Sequence, residues 1–216
     1  MMSLNLKMVK NDVIVRNIQD SDVRKIVDLS HKCFGSEMSL KSEHFKNQLK
    51  LFPEGQICVE YKGKMVGNAS SLIVNMEDYS DEHCYEEICD EGYIRNHNPT
   101  GNHLYGIEVG IDPDYRKMKL GRHLYNGRKK ICQDLNLKSI FIGGRMPFFY
   151  KYADHLSAEE YVAKVQEEKI YDPVLTFQMR NGFELKHVIK NYLPGDEASL
   201  QYGALMEWKN KDYQEK

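Results

Sequence analysis

The densest chemical signal in the sequence is the segment Ile111-Asp112-Pro113-Asp114-Tyr115-Arg116-Lys117-Met118-Lys119-Leu120-Gly121-Arg122-His123-Leu124. An extended run ends at Asp112-Pro113-Asp114, a basic loop follows, and apolar residues then recur at helical spacing at Leu124, Ile131 and Leu135. A loop of this kind gathers backbone N–H groups and the positive end of a helix around one point, which suits a phosphate or pyrophosphate. It is neither a Walker loop nor a Gly-x-Gly-x-x-Gly turn, and a basic surface turn before a helix would have the same composition. Just upstream, Glu108 stands in an alternating run with Ile107, Val109 and Ile111 on one face and Gly106, Glu108 and Gly110 on the other. A carboxylate held there between small residues, partly desolvated, would have a raised pKa and could act as a base. The alternative is an exposed strand glutamate or one paired with Lys or Arg. The histidines, His97 and His103 included, show no metal-ligand spacing, so no metal is expected.

These residues need strands and helices to position them. The pattern predicts a strand over Val13–Ile18, a helix from Asp20 or Ser21, a second helix from Ser39 or Ser42 to Phe52, and strands over Gln56–Tyr61 and Lys64–Val74 joined at Lys62-Gly63. After an acidic stretch and an Asn/Pro/Gly-rich loop come a strand over Leu104–Ile111, a helix after Gly121 and a strand over Ser139–Gly143. An exposed helix over Asp154–Glu168, a helix begun at Pro173 and stopped at Gly182, and strands over Phe183–Tyr192 and Tyr202–Trp208 complete the chain. Such an order predicts an α/β (α+β) fold with a mixed, largely antiparallel sheet flanked by helices.

Composition bounds the function. The chain has 216 residues, 30 Lys plus Arg and 32 Asp plus Glu, for a net charge of -2. Its length suits one domain, and the balance argues against a general nucleic-acid binder. No apolar run is long enough for a spanning helix and the N-terminus lacks a signal segment, which predicts a cytoplasmic protein without a membrane partner. Five scattered cysteines imply no disulfide framework. The charge is segregated: Asn75 to Gly92 holds eight acids and no Lys or Arg, whereas Arg116 to Arg145 holds nine bases and Asp134 alone. The acidic run is either a solvated face or an attractor for a cationic acceptor, alternatives that neutralising Glu86 and Glu87 would separate.

The basic segment resembles the acetyl-CoA signature of the GNAT N-acetyltransferases, with Ile111, Pro113, Tyr115, Arg116, Gly121 and Leu124 on the motif and Lys119 where its first glycine is expected. That departure requires the loop to find an unstrained path for a Cβ and adds a cation near the phosphates. Arg180-Asn181-Gly182-Phe183 is similar to the family's closing Gly-Phe. Phe52-Pro53-Glu54-Gly55-Gln56, Asn96-His97-Asn98-Pro99, Leu104-Tyr105-Gly106-Ile107-Glu108 and Asn191-Tyr192-Leu193-Pro194-Gly195-Asp196 resemble the GNAT domain that precedes a carbon-nitrogen hydrolase in bacterial fusion proteins. Only Lys209 to Lys216 follow Trp208, so the expectation is one GNAT domain over residues 1–216, with insertions near 75–102 and 145–172 and without the hydrolase.

The resemblance implies an acetyl-CoA-dependent N-acetyltransferase whose acceptor is a small amine or a peptide amine, attacked in a ternary complex. Val109, Gly110 and Ile111 would hold the pantetheine arm and acetyl group, and Arg116, Lys117, Met118, Lys119, Leu120, Gly121 and Arg122 the pyrophosphate. Glu108 is the candidate base. Gln178 stands where the family's usual tyrosine acid is expected; Tyr171 is the candidate acid, with Tyr150, Tyr152 and a thiolate that leaves without an acid as the alternatives. His97 is a candidate for the acceptor pocket, and GNAT domains often pair, which implies a homodimer. A CoA-binding regulatory module with little catalysis is the alternative, encouraged by Lys119 and Gln178; thiol release with a panel of amines separates the two.

Overall fold

A computed structural model describes residues 6–215. The elements run in the order β1 (Lys7–Lys10), β2 (Val13–Asn17), α1 (Val23–Met38), α2 (Ser42–Leu51), β3 (Ile57–Tyr61), β4 (Lys64–Val74), α3 (Tyr85–Cys89), β5 (His103–Ile111), α4 (Leu120–Asp134), β6 (Ser139–Arg145), α5 (Ala158–Gln166), α6 (Leu175–Arg180), β7 (Glu184–Ile189) and β8 (Gly203–Lys209). The strands form one sheet in the order β1-β2-β3-β4-β5-β6-β8-β7. Every pairing is antiparallel except β5 with β6, which are joined through α4.

The period-2 pattern of β3 shows how the layers form. Ile57 and Val59 pack in the main core with Val15, Leu124 and Ile131, on the face covered by α4. Cys58, between them, packs with Ile26, Leu40 and Phe45 under α1 and α2. The sheet is therefore sandwiched, α4 on one face and the α1–α2 pair on the other. Helix α1 is kinked at Gly35, whose φ of 79° lies outside the helical region.

Three elements differ from the sequence-based expectation. Helix α5 is not an exposed helix: Ala158, Tyr161, Val162 and Val165 recur at helical spacing and are buried. A capping box between Ser157 and Glu160 starts it. The acidic stretch contains α3, whose Ile88 and Cys89 are buried while Glu86 and Glu87 face solvent. The edge strand β1 was not anticipated, because four residues with one half-buried position carry almost no periodic signal. Among the described residues no helix is long and apolar enough to cross a membrane, and no group of His, Cys, Asp or Glu could hold a metal ion.

Candidate active site

The site is a wedge between β5 and β6. The two strands pair only from His103 with Ser139 to Gly106 with Ile142. Beyond that point β5 continues to Ile111 on β4, and β6 to Arg145 on β8. Asp112 N–H donates to the Val66 carbonyl at 2.9 Å. In an antiparallel ladder the direction of the backbone groups alternates, so Gly110 also turns its backbone toward β4, while Val109 and Ile111 turn theirs into the wedge. Sequence reasoning named all three; the register gives the open position to Val109 and Ile111.

At the mouth of the wedge, Asp112 caps the turn over Pro113–Tyr115 by accepting from Asp114 N–H at 3.0 Å. Lys32 of α1 ties this turn down with 2.6 Å ion pairs to Asp112 and Asp114. Arg116, Lys117, Met118 and Lys119 are exposed and lead into α4. The N–H groups of a first helical turn have no intrahelical acceptor, although that of Arg122 already donates to the Lys119 carbonyl at 3.2 Å. Met118 to Gly121 thus offer the amides for an anion. Lys119 does not find the unstrained path expected for it: at φ 60° and ψ 18° it adopts the left-handed conformation that glycine prefers, and Lys117, at φ 71°, does likewise.

On the other face of β5, Glu108 is 8% exposed. It accepts hydrogen bonds from the Asn68 amide and the Ser30 hydroxyl. Burial pushes its pKa up to about 7, against the opposing pull of those hydrogen bonds and of the Arg128 charge. Gly106 and Gly110 do not leave room beside it. A β-bulge shifts the register so that Ser70 faces Glu108 while Ser71 faces Gly106. A Cβ on Gly106 would lie 2.5 Å from the Arg128 guanidinium of α4, and one on Gly110 within 3.3 Å of Asn68, Cys33 and Phe34. The two glycines therefore look to opposite faces, and both spaces are filled.

Arg128 was missed by sequence reasoning. It is 1% exposed and donates to Ser71 Oγ at 3.0 Å and to the carbonyls of Ser70 and Glu108 at 2.9 and 2.8 Å. The two carbonyls are groups that the bulge takes out of the ladder. Burial lowers its pKa to about 10, which leaves it charged at neutral pH. The signal was an arginine lying on the apolar stripe of Leu124 and Ile131.

A second missed group is a buried chain of His83, Tyr105 and Tyr192. His83 Nε2 lies 3.1 Å from the Tyr105 hydroxyl, and that hydroxyl lies 3.1 Å from Tyr192 Oη. Tyr171, by contrast, is 61% exposed. Gln178 is buried against Gly144, with its Oε1 lacking a partner. His97 does not line a pocket: it stacks on Phe52 at 4.5 Å and accepts from Ile73 N–H at 3.1 Å. Burial lowers its pKa to about 4, so it is neutral.

A parallel β5–β6 pair that splays into a wedge, with a basic helix start at its mouth, is the arrangement of an acyl-CoA transferase. The model of the acetyltransferase (GNAT) family matches residues 23–151, and the chain belongs to that family. It is 49% identical over 210 residues to "Probable hydrolase YhcX" of Bacillus subtilis (strain 168), covering 97% of this chain and 41% of that one. The chain thus spans less than half the length of that relative. It is also 38% identical over 203 residues to "Uncharacterized N-acetyltransferase YkwB" of the same organism, covering 92% and 89% of the two chains. Among solved structures, the GphF GNAT-like decarboxylase in complex with isobutyryl-CoA matches at 18% identity with a TM-score of 0.78, covering 90% of this chain and 98% of that one. At that identity the likeness is one of fold.

Proposed function

We propose that the protein transfers the acetyl group of acetyl-CoA to a primary amine, on a small molecule or a peptide. The reading rests above all on the wedge whose open edge carries the backbone groups of Val109 and Ile111 and runs out to the exposed basic residues ahead of α4. Pantetheine would pair with that edge, and the amides of Met118 to Gly121 would hold the pyrophosphate. The amine nitrogen attacks the thioester carbon, the C–N bond forms, and the C–S bond breaks with the electron pair leaving on sulfur. The nitrogen's proton goes to Glu108, directly or through water. Tyr171 is the proposed proton donor to the thiolate; unchanged turnover of Tyr171→Phe would remove it from the mechanism. Acetyl-CoA with a panel of primary amines should release CoA thiol only when an amine is present. Thiol release that ignores the amine, or binding without turnover, would overturn the reading.

A second reading is favoured by one observation: Glu108, Tyr105, Tyr192 and His83 are all buried, so the face opposite α4 offers little room for a bulky acceptor. Decarboxylation of a 2-carboxyacyl-CoA needs no acceptor, and a GNAT-like decarboxylase has a similar fold. Conversion of malonyl-CoA to acetyl-CoA and CO2 without an amine would establish this reading in place of the first.

A further inference from the structure

The chain of His83, Tyr105 and Tyr192 has a direction that can be read from its far end. His83 Nδ1 lies 2.8 Å from the Ser80 carbonyl oxygen. A carbonyl only accepts, so Nδ1 carries the hydrogen. His83 is 1% exposed, and burial lowers its pKa, so the ring is neutral and Nε2 presents a bare lone pair. The Tyr105 hydroxyl, 3.1 Å away, must donate to it. Having spent its hydrogen there, Tyr105 accepts from the Tyr192 hydroxyl. Tyr192 in turn has spent its own hydrogen, and what its oxygen still offers is a lone pair. Among the described residues no other side chain donates to that oxygen.

The position of that oxygen is equally defined. A Cβ on Gly143 would lie 2.0 Å from Tyr192 Oη, and one on Gly203 2.5 Å from the same ring, so the ring lies flat over two strand glycines. Gly143 is the first residue of β6 beyond the stretch paired with β5. The hydroxyl therefore spans from Tyr105 on β5 to Gly143 on β6, at the point where the wedge opens. It lies on the Glu108 side of the sheet, because the bulge brings Tyr105 and Glu108 to one face. From the acidic segment, the Tyr85 N–H holds the Tyr192 carbonyl at 2.7 Å, and His83 closes over the ring edge.

We infer that Tyr192 binds the acceptor: the attacking primary amine donates an N–H to the Tyr192 hydroxyl oxygen, and Tyr105 and His83 are positioning residues that keep that lone pair turned toward it. The inference rests on the N-acetyltransferase reading. It also gives the site a preference: with Tyr192 only 3% exposed, its lone pair suits the N–H of a slender primary amine and repels a carboxylate.

The test is steady-state thiol release from acetyl-CoA with 2-phenylethylamine, spermidine and a tripeptide with a free N-terminus. The unaltered protein is compared with Tyr192→Phe, which keeps the ring over Gly143 and Gly203. The expected result is a rise of about 3- to 10-fold in the amine KM, the size of one lost hydrogen bond, with the acetyl-CoA KM unchanged. His83→Leu, which leaves Tyr192 in place but frees the Tyr105 hydroxyl to turn, should raise the amine KM in the same direction. It also serves should Tyr192→Phe fold poorly. An unchanged amine KM in both variants, or an equal rise in both KM values, overturns the inference while leaving acetyl transfer standing. If the unaltered protein binds acetyl-CoA yet acetylates none of the amines, the transferase reading fails and the inference falls with it.

Discussion

Ionising Glu108 in its buried site costs free energy that an exposed carboxylate does not incur. Its pKa is raised from 4.5 to about 7, a difference worth roughly 3 kcal/mol between the two protonation states. A folded-state pKa above the unfolded one means that the native state binds the extra proton. The stabilising contribution is therefore complete below about pH 4.5 and is lost as pH rises through about 7. Glu108→Gln should remove this dependence, so that urea midpoints of the variant and the unaltered protein converge at low pH and the variant is the more stable at pH 8. Activity should run the other way. A base is useful only when deprotonated, so kcat/KM should climb about tenfold per pH unit below 7 and level off above it. In Glu108→Gln the rate should fall by roughly 100- to 10,000-fold and lose that profile. Lys119 makes a smaller trade. Its left-handed backbone costs about 1–2 kcal/mol, of which glycine would return part after its own entropic penalty of about 0.5–1 kcal/mol. Lys119→Gly should thus gain a fraction of a kcal/mol in denaturant melts while weakening acetyl-CoA binding measured by calorimetry at low salt.

At the scale of elements, the bulge between β4 and β5 decides what the site is made of. It puts Tyr105 and Glu108, three positions apart, on one face, where strict alternation would separate them. The carbonyls it frees need a donor, and Arg128 is that donor. Arg128→Met keeps the apolar stem and leaves both carbonyls buried without a partner. The expected cost is about 3 kcal/mol or more, a fall of roughly 6–12 °C in Tm visible by calorimetry. The same bulge marks the limit of what the sequence discloses. The strand over 103–111 was legible because Leu104, Ile107, Val109 and Ile111 are β-formers flanked by turn residues, and so was its neighbour over 64–74. Which way each β5 side chain points was not, because one extra residue reverses the alternation and nothing local announces it. Helix α5 was placed but misjudged as exposed, since its buried stripe of Tyr161, Val162 and Val165 is read only by counting spacing, not composition. The basic loop ahead of α4 was legible because its residues are contiguous in the sequence. The Tyr105–Tyr192 contact joins residues 87 positions apart, and no local pattern encodes such a pairing.

For the whole molecule, the charge segregation read in the sequence becomes something narrower in three dimensions. Of the nine bases between Arg116 and Arg145, Arg128 is buried beneath the sheet, Lys129 donates to the Asn181 carbonyl, and Lys130 and Arg145 pair with Asp134 and Asp196. Lys138 is exposed but lies between the end of α4 and the start of β6, so the residues left to act on a ligand at the start of α4 are Arg116, Lys117, Lys119 and Arg122, all exposed and without an ion-pair partner among the described residues. The acids of 75–92 lie mostly in solvent, while His83, Ile88 and Cys89 of the same segment are buried. The positive field is thus concentrated at one mouth of the wedge rather than spread over a face, which fits a polyanionic ligand held at one end and suits a nucleic-acid backbone poorly. A ligand that binds only the folded state stabilises it by about 2.7 kcal/mol at one hundred times its Kd. Saturating acetyl-CoA should therefore raise Tm by roughly 5–10 °C. The effect should shrink as salt rises from 50 to 500 mM, because exposed charges are screened over about a Debye length. Replacing Lys117 and Lys119 together by Glu should abolish most of the shift while leaving the Tm without ligand within a few degrees. A shift that survived both the double replacement and high salt would place the CoA phosphates elsewhere, and with them the direction in which the thioester enters the wedge.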